Sequence, residues 1–137
     1  MRTTFSSIVL ALCCLASSDA FALKKTIIDS RLDACLEKAN TTTDMIRCNS
    51  VAYSEWDKQL NRTYGELLST MSATEKQSLR ASQRSWLAFR DLEFKTIDAM
   101  FARLDGTMYL PMRVASRTNI VRNRAIELVS YQALRSN

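Results

Sequence analysis

The chain has 137 residues, with 19 Lys and Arg against 14 Asp and Glu, for a net charge of +5. It contains no histidine, which removes the usual general base, the Ser-His and Cys-His nucleophile pairs and the commonest metal ligand. No Gly-rich phosphate loop is present either, so no enzymatic activity, cofactor or metal site is expected.

Residues 1–22 read as a signal peptide. Arg2 supplies a positive n-region, and Ile8 to Ala16 form an apolar core too short to span a bilayer. Ala20-Phe21-Ala22 is a small-x-small cleavage site. Cleavage after Ala22 would leave 23–137 as one helical domain, periplasmic or secreted by a bacterium and without a transmembrane segment. A lipoprotein anchored at Cys13 or Cys14 is the weaker alternative, because Leu12 and Cys13 precede them where a lipidation motif takes a small residue. Two glycosylation sequons, at Asn40 and Asn61, would matter only in a eukaryotic secretory pathway.

The remaining chain has two cysteines, Cys35 and Cys48. In an oxidising compartment an even pair reads as one disulfide, and a loop of about 15 residues makes it worth about 3 kcal/mol in the chain-entropy treatment.

Two glycines and one proline leave little turn chemistry for strands, and apolar residues recur at threes and fours, so the fold class is all-α. A short first helix is expected near Asp29 to Ala39. Thr41 with Asp44 opens a second helix, which places Met45, Cys48, Ala52, Trp56, Leu60, Thr63, Leu67 and Met71 on one stripe. Ser72 with Glu75 restarts the chain as a third helix, with Leu79, Gln83, Trp86, Leu87, Arg90, Phe94, Ile97, Phe101 and Leu104 inward. Asp105-Gly106 breaks it. Pro111 suits the first turn of a fourth helix, whose apolar side is Val114, Thr118, Val121, Ala125 and Leu128. The short connection at Ser72 makes helices two and three an elongated antiparallel hairpin, with helix four packed alongside and helix one stapled to helix two.

Two motifs stand out: Trp56-Asp57 with Asn61 and Tyr64, and Gln83-Arg84 with Trp86 and Arg90-Asp91. Folding about Ser72 brings Asn61 near Gln83, Tyr64 near Arg80 and Asp57 within a turn of Arg90. A charge on a core-facing stripe needs a partner, so Asp57–Arg90 is the expected partly buried ion pair, walled by the two tryptophans. Two readings stay open: the cluster fixes the register of the hairpin, or it borders a binding groove.

These residues, with Cys35, Cys48 and the Arg124-x-x-Glu127-Leu128 ending, resemble the family of small exported bacterial proteins named for the lysozyme inhibitor LprI. The resemblance runs from about Asp33 to Leu128. Family members commonly carry a second cysteine pair, where this chain has Phe94 and Ser116. The resemblance implies a protein partner, a lysozyme-type glycoside hydrolase whose paired carboxylates lie in a cleft. The expected contact element is the corner between helices three and four: Asp105, Thr107, Met108 and Tyr109, with Arg113 and Arg117 behind it. Long-range repulsion opposes binding to strongly basic animal lysozymes unless an acidic face, such as Asp29, Asp33 and Glu37, is presented.

A periplasmic immunity or adaptor role toward another secreted effector is the first alternative. The second is binding to polyanions or the envelope through Arg113, Arg117, Arg124 and Arg135; nucleic acid is not expected as a partner of an exported protein. Oligomeric state is not legible in the sequence.

Overall fold

The computed structural model describes residues 26–135; the signal-peptide and lipidation readings lie outside them. Four helices follow in order: α1 (Ile27–Leu36), α2 (Thr42–Thr70), α3 (Ala73–Phe101) and α4 (Tyr109–Arg135). The all-α fold class is thus as the sequence implies, and none of the described helices is long and apolar enough to cross a membrane.

Each helix start has a local cause. The Thr26 hydroxyl accepts the Asp29 N–H at 3.1 Å while the Asp29 carboxylate accepts the Thr26 N–H at 3.2 Å, a reciprocal cap that starts α1 two residues before Asp29. Thr41 caps α2 by accepting the Asp44 N–H at 3.1 Å. Ser72 and Glu75 form the expected capping box of α3, with the Ser72 N–H donating to Glu75 at 2.7 Å. Past Phe101 the chain turns through Gly106, whose φ of 111° lies where a side chain would be strained.

The core follows the apolar stripe of α2. Cys48, Ala52, Trp56, Leu60, Thr63 and Leu67 are buried there, and they meet Thr118, Val121, Ala125 and Leu128 of α4. The helix α4 packs most closely on α2 and next on α3, whereas the α2 and α3 backbones are not a closely packed pair. With the α2 stripe taken up by α4, α3 contributes Leu79 and Gln83 as its buried residues. Leu87 and Leu104, expected inward, are 38 % and 45 % exposed for the same reason.

The Cys35–Cys48 disulfide forms, with Cα atoms 5.7 Å apart, and clasps α1 to α2. A second tie holds α1 to α4: the Arg122 guanidinium donates twice to the Asp29 carboxylate, at 2.7 and 2.8 Å.

Candidate functional site

The two motifs meet across a groove between α2 and α3 of about 290 Å³. Asp57, Asn61 and Tyr64 line one wall. Arg80, Gln83, Arg84, Trp86 and Arg90 line the other. The expected Asp57–Arg90 ion pair is not made. Arg90 donates instead to its neighbour Asp91, at 2.9 and 2.7 Å, and lies 5.6 Å from the centre of the Trp86 ring. Asp57 accepts from the Asn61 side-chain amide at 3.1 Å. The cause is spacing: helices held apart by α4 keep the predicted register but not the predicted contact.

The buried cation is a different residue, Arg124, whose side chain is 4 % exposed. Its Nε donates to Gln83 at 3.1 Å, one Nη to Ser82 at 3.2 Å and the other to Glu127 at 2.6 Å. The Trp86 ring lies 5.9 Å from its guanidinium carbon. Burial pushes the Glu127 carboxyl up, but the hydrogen bonds from Arg124 and the Tyr131 hydroxyl, with the Arg124 charge, hold it below its ordinary value. The signal for Arg124 was present: it sits in the α4 stripe, three residues after Val121 and four before Leu128.

Trp56 is buried at the other side of α2, with the Arg122 guanidinium 5.5 Å from its ring. Hydrogen bonds from Arg122 hold the Asp29 carboxyl below its ordinary 3.8, against the opposing effect of burial and with help from Thr26. Asp29 is therefore tied into the fold, and the acidic face expected on α1 is reduced.

At the α3–α4 corner, Asp105, Thr107 and Met108 are exposed and Tyr109 is half-buried in the first turn of α4. Met108 belongs to a wider apolar patch in which the sequence did not single out Met100, Leu110 and Met112 and placed Leu104 inward: Met100, Leu104, Met108, Leu110 and Met112 are each between 43 % and 65 % exposed. Arg113 and Arg117 do not project from this corner. Arg117 donates to the Asp98 carboxylate of α3 and lies 5.1 Å from the Phe94 ring, and the Arg113 Nε is 4.0 Å from the same carboxylate. Both arginines bind α4 to α3. Arg135 donates to Glu75 at 2.7 Å. With Arg124 buried as well, the four arginines expected to form an open basic stripe on α4 do not form one.

Among the described residues, no group of His, Cys, Asp and Glu could hold a metal ion. The features together define a small, disulfide-clasped helical protein with two distinctive surfaces, a cationic groove and an apolar corner. The chain belongs to the LprI lysozyme inhibitor family: residues 34–128 match the family described as lysozyme inhibitor LprI. It is 28 % identical over 142 residues to an uncharacterized protein of Rhizobium meliloti (strain 1021), across 93 % of this chain and 94 % of that one. A crystal structure of an uncharacterized protein from Burkholderia thailandensis is similar at a TM-score of 0.70 and 30 % identity, over 75 % of this chain and 52 % of that one. This chain thus spans about half the length of that solved protein.

Proposed function

We propose that this protein is exported and inhibits a lysozyme-type peptidoglycan hydrolase, occluding the enzyme cleft with the α3–α4 corner at residues 105–117. The supporting observation is the exposed Met100, Leu104, Met108, Leu110 and Met112 around the Gly106 turn, in a chain whose family is named for lysozyme inhibition. Methionine and leucine at a projecting turn can pack into an irregular cleft, and a nearby donor can meet its carboxylates. Arg103 is the guanidinium that suits this, being exposed and without an ion-pair partner among the described residues. Arg113 and Arg117 then support the corner from behind through Asp98. The disulfide fits an oxidising compartment outside the cytosol. A net charge of +5 favours a neutral or acidic target over a strongly basic one.

The test is peptidoglycan hydrolysis by a panel of animal, bacterial and phage lysozymes, with and without the oxidised protein. Stoichiometric inhibition of one class is expected, lost in Leu104→Asp/Met108→Asp while the circular-dichroism melt is unchanged. Failure to inhibit any member would overturn the lysozyme reading and leave an immunity or adaptor role.

A further inference from the structure

The groove between α2 and α3 has chemistry that the corner does not use. Arg80 and Arg84 line it, and neither has a hydrogen-bond or ion-pair partner among the described residues. They stand four apart on α3, a like-charge pairing that costs a helix a few tenths of a kcal/mol. Arg90 also lines the groove but is already paired with Asp91, its guanidinium over the Trp86 ring. The carboxylate lining this groove is that of Asp57, already accepting from Asn61. The Tyr64 hydroxyl on the α2 wall also lacks a partner among the described residues.

Two unpaired guanidiniums beside a carboxylate already bonded to Asn61 call for an anion. The lining comes from the middles of two helices, where every backbone N–H is taken up by the helix, so the N–H nest that usually cradles a phosphate is missing. Guanidinium forks match a planar carboxylate instead. Trp86 and Leu87 supply a flat apolar surface, and Asp57, Asn61 and Tyr64 supply partners for hydroxyl and amide groups. A volume of about 290 Å³ admits a single ring with its substituents. We infer that the groove binds a small carboxylate-bearing sugar, its carboxylate on Arg80 and Arg84 and its ring beside Trp86 and Leu87.

This goes beyond lysozyme inhibition and is separable from it, since the groove ends near Arg90 and the corner begins some eleven residues, about 16 Å, further along α3. The test uses the oxidised, isotope-labelled protein titrated with N-acetylmuramic acid and with N-acetylglucosamine, which has the same ring without the carboxylate. Backbone and indole shifts should saturate at residues 57–64 and 80–90, including the Trp86 indole but not that of Trp56. The carboxylated sugar should bind at least tenfold more tightly. Arg80→Ala/Arg84→Ala, at exposed positions and so without effect on folding, should weaken it at least tenfold and leave any lysozyme inhibition intact. No saturable shift in the groove, equal affinity for the two sugars, an unaltered affinity in the double variant, or displacement by equimolar inorganic phosphate would each overturn the assignment.

Discussion

Gln83 and Asp57 face the same groove, yet they contribute to stability in different ways. Gln83 is buried and accepts from the buried Arg124 guanidinium, so Gln83→Leu removes a bond to a charge that water cannot reach. That change should cost about 1–3 kcal/mol in urea unfolding. Among the described residues the Asp57 side chain bonds only to Asn61, on its own helix; Asp57→Ala should therefore cost less than about 1 kcal/mol, whereas the Arg90 pair expected from sequence would have raised it to about 3. Spacing along a helix fixes which residues share a face, and that much was legible. It does not fix how far apart two helices stand, and Arg90 found a partner one residue away. A second residue-scale expectation concerns acid. The Asp29 carboxyl is held below 3.8 in the fold, so its contribution is present above the unfolded value and is lost as pH falls through the folded one. The stability gap between wild type and Asp29→Asn should thus be steady above about pH 5 and narrow as pH falls from there through the folded value, as unfolding midpoints would report.

Among the elements, α2 was the most legible, because its stripe alternates cleanly with polar residues and its partner stripe on α4 has the same period. The caps at Thr41 and Ser72 were legible for a local reason, since each is a contact between residues three apart. The cap at Thr26 is equally local but was missed, because Asp29 can be taken as a first residue as easily as the N3 partner of a preceding threonine. The outer half of α3 was only partly legible: Phe94 packs against the core as its stripe implies, but Leu87 is exposed, because how much of the stripe is covered depends on where α4 lies. The helix α1 is short and has one fully buried residue, Ile28, so its docking depends on ties to its neighbours. Replacing both disulfide cysteines, in Cys35→Ser/Cys48→Ser, should lower stability by about 3 kcal/mol. Hydrogen exchange should show α1 opening first while α2 and α4 keep their protection.

On the scale of the whole molecule, a net charge of +5 acts at a distance that no single contact reaches. Association with an acidic target should slow about tenfold between about 50 mM and about 0.5 M salt, with a smaller change in the dissociation rate, as stopped-flow or surface measurements would show. The two surfaces were legible to different degrees. The groove residues were marked by their motifs, while most of the corner residues were not, since Met100, Leu110 and Met112 fall outside any stripe and an exposed apolar side chain shows itself only once the neighbours are placed.

The joint between α3 and α4 is held without a covalent bond. Phe94 is ringed by Arg90, Arg117 and Tyr53, and Asp98 completes the contact. No electron transfer can open such a joint, and nothing covalent has to be remade for it to close. Thiol reductants would therefore loosen the first helix, leaving it on its Arg122–Asp29 pair, and leave the corner standing, while concentrated salt would loosen the corner and leave the first helix fastened by its disulfide. The two joints, close together in the fold, would then respond to different changes in their surroundings.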